Sequence, residues 1–323
     1  MRYTMEDLIR AARANGFSPT KRMVQDWVEL GLLDRPERHG LGRGKGVRAT
    51  WSQEQQELFN ALLRKRQTVN RVGLLSNLPV SMWLYFGDTY VPLRQVRLAL
   101  STWQGQTAKT SWKVVRRTVE QLFDAPTDHL PRKASEALLN GIIEILFRYP
   151  RRFDENDQVE LRKLLTPVLD PGENGLVKKT IGGMAFTTEA YIELLTARLK
   201  AAVALTNDEI DDSLFHWARY TNLLSRARYQ GLLARLTTAG RVSGLTIPSV
   251  EEMAERACLD LTTLLGLGLG MPDGAVSASL DHPCVWKAGN LRSVVHGELV
   301  EGGIKVTVEV RPEEKAEQET ADQ

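Results

Sequence analysis

The sequence predicts a mainly α-helical protein that opens on two short helices joined by a tight turn and closes near its C-terminus on a short β-hairpin. Three observations carry this. Apolar residues recur at three- and four-residue spacing through most of the chain, the period of amphipathic helices. Residues 34–50 interrupt that period with glycine and arginine and offer almost nothing apolar to bury. Near the end, "VVHGELVEGGIKVTVEV" alternates apolar and polar residues around "EGG", the pattern of two paired strands.

Composition bounds the function classes. The chain has 323 residues, 42% hydrophobic and 25% charged, enough for a real core and more than one domain. "MRYTMEDLIRAARANG" is charged and lacks the apolar core of a signal peptide, and no stretch reaches the length of a membrane span. Two cysteines are too few for a disulfide framework and fit a reducing cytoplasm. The net charge of +2 conceals an asymmetry. Residues 1–133 hold 22 Lys/Arg against 12 Asp/Glu, and the remainder 20 against 28. A basic front suits a polyanionic partner.

The elements follow in order. Leu8, Ile9 and Ala12 mark a first helix, stopped by Asn15–Gly16. "SPT" (18–20) offers an N-cap at Ser18 with Pro19 at the first helical position. Met23, Val24, Trp27, Val28 and Leu30 mark a second helix, ended by Gly31. After the basic ribbon, Ser52 caps a third helix with Gln55 as its capping-box partner and Leu58, Phe59, Leu62 and Leu63 facing inward. Further helices are expected across 73–130 with breaks at Pro79, Pro92 and Pro126, then over 133–150, 155–169, about 208–236 and 250–265. "DPGENGLVKKTIGG" (170–183) reads as a glycine-rich connector and residues 312–323 as a disordered charged tail.

Two helices at a tight turn, then a glycine-arginine ribbon, form the layout of a winged helix–turn–helix. A helix fits the major groove, and a two-stranded wing needs glycine to turn and Arg or Lys to bond phosphate oxygens. The ribbon supplies Arg35, Arg38, Arg43, Lys45 and Arg48 against Glu37. Thr20, Lys21 and Arg22 stand at the start of the second helix, where phosphate contact is cheap. Gln25 is a candidate for pairing with adenine. Trp27, Trp51, Leu8, Leu32 and Leu33 are read as core.

"YTMEDLIRAARANGFSPTKRMVQDWVELGLLDRPERHG" followed by "WSQEQQELFNALLRKR" resembles the DNA-binding domain of the MerR-family regulators. The matching positions are Trp27, Gly31, Leu32, Leu33, Pro36, Arg38, Trp51 and Ser52, across residues 3–70. The resemblance implies a sequence-specific binder of double-stranded DNA, a homodimer, that controls transcription. Where the family usually carries an Arg and two adjacent aromatics, this chain has Gln25, Asp26 and Trp27, so base readout does not carry over. Past Arg71 the resemblance stops.

Other motifs fall short of a site. "GLGRGKG" (40–46) has the wrong spacing for a phosphate loop, "SPTK" lacks the partner motifs of serine acyltransferases, and "GLGLGMPDG" lacks dinucleotide-binding spacing. "NDEIDD" (207–212) reads as the acidic start of a helix. Cys258, His282, Cys284 and His296 match no closed zinc spacing. No catalytic, cofactor-binding or metal residues are therefore assigned, and no enzyme is expected.

The expected organisation is a DNA-binding domain over 1–72, a helical region over 73–170 for dimerisation or linkage, and a helical domain over 171–311 ending in the hairpin. That last region is the candidate surface for a protein partner or a small-molecule effector. The expected function is regulation of transcription from the cytoplasm, with no membrane attachment. Two alternatives stay open: an accessory DNA-binding factor of a phage or mobile element, and a partner-binding scaffold that uses DNA as an anchor.

Overall fold

The computed structural model describes residues 2–40, 46–107, 111–122, 132–149, 152–169, 188–238, 254–271, 284–288, 291–300 and 303–312. The protein is mainly helical. Helix α1 (Met5–Ala14) starts on a capping box in which Thr4 Oγ1 accepts from the Asp7 N–H at 3.2 Å and Asp7 Oδ2 accepts from the Thr4 N–H at 3.0 Å. Gly16, at φ +83°, turns the chain toward α2 (Lys21–Glu29). The N-cap of α2 is Thr20, whose Oγ1 accepts from the Met23 N–H at 3.1 Å, and not Ser18. Pro19 thus precedes the helix. The Thr20 hydroxyl satisfies an orphan donor that Ser18, two residues too early, would not reach.

Gly31 closes α2 at φ +71°, and the N–H groups of Leu32 and Leu33 both bond the Trp27 carbonyl, at 2.9 and 3.1 Å. Strands β1 (Glu37–Gly40) and β2 (Val47–Thr50) then pair antiparallel, with Glu37 opposite Thr50 and Gly40 opposite Val47. The ribbon is tethered at its base, because Trp51 and Tyr3 exchange both backbone hydrogen bonds, at 2.9 and 2.8 Å. Helix α3 (Gln53–Thr68) packs Leu58, Phe59 and Leu62 against Leu8, Ala12, Val24 and Trp27. Trp27 meets Phe59 edge-on, with ring centroids 5.6 Å apart.

Further helices among the described residues are α4 (Val72–Leu75), α5 (Asn77–Phe86), α6 (Leu93–Thr107), α7 (Trp112–Leu122), α8 (Arg132–Arg148), α9 (Glu155–Leu169), α10 (Thr188–Thr206), α11 (Asp212–Thr238) and α12 (Ala257–Gly268). Pro79 does not break the chain. It occupies the first turn of α5, where its missing N–H would have no intrahelical acceptor. The acidic stretch 207–212 leads into α11, where Asp211 Oδ1 accepts from the Leu214 N–H at 2.8 Å and Asp212 meets Arg97 at 2.7 Å.

Among the described residues two apolar cores form. The larger runs without a break from Leu8 and Trp27 through Trp83 and Leu100 to Phe215 and Leu265. The smaller gathers Val119, Ile142, Ile145, Leu161 and Leu165. Helix α10 enters both, giving Ile192 and Leu195 to the smaller core and Ala201 and Ala204 to the larger. It packs closely on α12 because Gly266 has no Cβ: one placed there would lie 1.9 Å from the Ala197 carbonyl oxygen. Among the described residues no helix is long and apolar enough to cross a membrane.

Strands β4 (Leu291–Val300) and β5 (Gly303–Pro312) pair antiparallel at the hairpin that the alternation predicts. A third strand, β3 (Cys284–Ala288), joins β4 and extends the hairpin to three strands. The glycine-rich connector, Pro126 and the charged tail beyond 312 lie outside the described residues.

Helix α6 carries a network of polar contacts between the N-terminal unit and the rest of the molecule. The Gln55 side chain is not a capping-box partner. Its Oε1 accepts from the Asp34 N–H at 2.8 Å, and its Nε2 donates to the Tyr90 carbonyl at 3.0 Å and to Gln95 Oε1 at 2.9 Å. Ser52 still caps α3 by accepting from the Gln55 N–H at 3.3 Å. Gln95 in turn donates to the Leu32 carbonyl at 3.0 Å, and the Thr102 hydroxyl donates to the Leu30 carbonyl at 2.9 Å. Arg94 closes a two-bond pair on Asp34, its Nε 3.0 Å from Oδ1.

Gln55→Ala leaves buried donors and acceptors unmatched on both sides and is expected to cost about 2–3 kcal/mol in urea unfolding, while exposed Gln53→Ala stays within about 0.5 kcal/mol. Gly16→Ala, at positive φ in open space, is expected to cost about 1–2 kcal/mol. Gly31→Ala adds a Cβ 2.5 Å from the Ala99 nitrogen and should lower the melting temperature clearly further.

Candidate nucleic-acid interface

Helix α2 has one buried stripe, Val24 and Trp27, and Lys21, Arg22, Gln25 and Glu29 lie exposed on the rest of its surface. Its first turn breaks a local rule. Helix α1 places Glu6 and Asp7 at its N-terminus and α3 places Glu54 there, as the helix dipole favours. The first turn of α2 holds no acid and instead begins with Lys21 and Arg22. Two cations beside a row of N–H groups make this end of α2 attractive to an anion.

Both cations have carboxylate neighbours. Lys21 Nζ lies 2.7 Å from Glu6 Oε1 and Arg22 Nε lies 2.8 Å from Asp26 Oδ1, all four side chains being well exposed. The Lys21 hydrogen bond is the main cause that holds the Glu6 carboxyl below its usual pKa. Exposed pairs of this kind are worth at most about 1 kcal/mol, so they exchange readily for a phosphate. Thr20 is exposed and spends its hydroxyl on the cap. Gln25 is exposed on the outer surface of α2.

The ribbon divides its cations between two faces. In the β1–β2 register Arg38 stands opposite Ala49, and the next pair sets His39 opposite Arg48. Facing residues share a side and successive pairs alternate, so Arg38 and Arg48 project to opposite faces. Arg35 is exposed in the segment before β1. Among the described residues, no carboxylate lies within ion-pair distance of Arg35, Arg38 or Arg48. Arg43 and Lys45 lie outside the described residues.

Sequence reasoning missed Arg2. Its Nη1 lies 3.1 Å from His39 Nδ1 and its Nη2 3.3 Å from Glu37, adding a cation at the foot of the ribbon. Only the pairing of Tyr3 with Trp51 brings it there, a contact without local sequence signal. Asp7 lies in the same region: its hydrogen bonds with Thr4 hold its pKa below the usual value, and Arg10 and Arg48 add to the effect through their charge. Among the described residues no group of three His, Cys, Asp or Glu side chains gathers as metal ligands. Cys258 is buried, its N–H donating to Asn77 Oδ1 at 2.9 Å, and His282 lies outside the described residues.

Comparison with protein-family models, curated proteins and solved structures gives no match to this chain.

The Asp7 geometry yields a titration test. A depressed carboxyl stabilises the fold above its unfolded-state pKa, near 3.8, and that contribution is lost as pH falls through the lower folded value. In NMR titration of the full chain the Asp7 carboxyl is expected to titrate below 3.8, and Thr4→Ala, which removes the largest cause, should move it upward.

Proposed function

We propose that this protein binds double-stranded DNA in a sequence-specific manner and regulates transcription, α2 entering the major groove and the β1–β2 ribbon gripping the adjacent backbone. The observation that carries the reading is the charge inversion at the start of α2, where Lys21 and Arg22 replace the acids that the other capped helices of this unit use. A helix end so arranged gains when a phosphate arrives. The resemblance of residues 3–70 to the MerR-family domain supports the same docking, as does the ribbon's position directly after α2.

Roles divide by chemistry. Lys21, Arg22, Arg35, Arg38 and Arg48 meet phosphate oxygens, with Arg43 and Lys45 assigned the same role from sequence. Gln25, on the exposed side of α2, reads a base edge. Splitting Arg38 and Arg48 across the ribbon supports a wing that sits over a phosphate ridge and touches it from two sides.

The test is selection of bound duplexes from a random library by the full-length protein, followed by affinity measurement across a salt series. Arg38→Ala and Arg48→Ala should each weaken binding to all sequences and flatten the salt slope by about one. Gln25→Ala should relax preference at one base position by about 1–3 kcal/mol with the slope unchanged. Failure to enrich any sequence, with affinities insensitive to these changes, would remove the DNA reading. Genomic recovery with the same protein separates promoter sites from attachment sites of mobile elements.

A further inference from the structure

A cavity of about 450 Å³ opens between α6, the residue that follows α8, α10 and α12. Its wall includes Trp103 and Gln104 from α6, Tyr149, Arg198 and Leu199 from α10, and Leu259 from α12. The volume lies within the range of small-molecule sites, about 300–1,000 Å³. Most of the surface is apolar, so the few polar groups decide what fits.

Several of those groups are already satisfied by backbone carbonyls. The Tyr149 hydroxyl donates to Leu195 at 2.9 Å, Thr206 to Ala202 at 2.8 Å and Thr262 to Cys258 at 2.7 Å. Two donors are not so placed. Gln104 Nε2 is buried and has no hydrogen-bond partner among the described residues. Arg198 spends its Nε on the neutral Thr263 hydroxyl at 2.7 Å, and among the described residues no carboxylate lies within 4.0 Å of its guanidinium. Desolvation is the main cause that pulls the Arg198 pKa below its ordinary value, but a guanidinium remains charged at any physiological pH. A partly buried cation and an unmatched amide donor on one apolar cavity leave a deficit of acceptors, and an anionic oxygen fills it.

We propose that this cavity binds a small amphipathic carboxylate, its oxygens accepting from Arg198 and Gln104 and its apolar ring body lying among Trp103, Leu199 and Leu259. The site has a mechanical address. Ser101, Trp103 and Gln104 flank Thr102 on α6, and Thr102 holds the Leu30 carbonyl at the C-cap of α2. A ligand that orders this part of α6 therefore tightens the end of α2. The proposal stands apart from the DNA reading, since it concerns what the cavity takes.

Calorimetric titration of the full-length protein tests it, with 2-naphthoate and indole-3-acetate as anions and 2-naphthylmethanol as the neutral analogue. Saturable one-site binding of at least one anion is expected, with the alcohol at least about tenfold weaker. Arg198→Gln should lose about 10- to 100-fold for the anion and leave the alcohol unchanged, and Gln104→Leu should lose less. Amide exchange across 21–29 should slow when the anion is bound. No saturable binding of either anion, or equal binding of the alcohol, overturns the proposal. If Arg198→Gln fails to fold, the wild-type contrast between anion and alcohol and the Gln104→Leu titration decide it. The double variant Arg38→Ala/Arg48→Ala should bind the anion as wild type does, so a lost DNA interaction and a lost cavity ligand are read separately.

Discussion

The arrangement of this molecule depends on a pair of buried amides. Gln55 on α3 and Gln95 on α6 bond each other and reach the Asp34 N–H and the carbonyls of Tyr90 and Leu32. Apolar contacts alone would let the N-terminal unit slide on α6, because dispersion has little direction. Amide hydrogen bonds weaken steeply with angle, so this network fixes an orientation as well as an attachment. Gly31 completes the constraint by bringing the backbone at the end of α2 against Leu98 and Ala99 with no side chain between. The exposed surface of α2 and the ribbon are thereby presented on a rigid mount.

That mount bears on the electrostatics of the proposed interface. The cations of α2 are held by short surface pairs with Glu6 and Asp26, whereas Arg35, Arg38 and Arg48 lack such partners among the described residues. On the proposed reading, an approaching polyanion would first meet the ribbon, whose Arg35, Arg38 and Arg48 form no ion pair among the described residues, and then displace the weak pairs at α2. That reading gives attraction at long range and fit at short range to different elements.

The sequence makes the local features legible and the distant ones not. Val24 and Trp27, and Leu58 and Phe59, betray themselves by period because each pair lies on one helix with one buried side, and the β4–β5 pairing follows the alternation of the sequence around its turn. Gln55 reads as a capping residue since a capping box is the commonest use for glutamine at that position, yet its partners lie 21, 35 and 40 residues away. Pro19 and Pro79 differ from their expected places because proline tolerates more than one position around a helix start; the Thr20 cap sets the start of α2 after Pro19, and Pro79 fits the first turn of α5. At the candidate interface, Lys21, Arg22 and Gln25 are exposed as their spacing on α2 implies. The separation of Arg38 from Arg48 follows from strand register, which the glycine-rich ribbon does not encode. Arg2 and the Gln104–Arg198 cavity need tertiary contacts that no motif records.

Helix α10 has a consequence of its own. Because Ile192 and Leu195 sit in one core and Ala201 and Ala204 in the other, melting either core exposes part of the same helix. Helices gain stability by propagating hydrogen bonds along their length, so fraying at one end weakens the other. The two cores therefore share a folding fate, and damage to the apolar surface around Ile142 and Leu161 is transmitted through one rod to the region that supports α2.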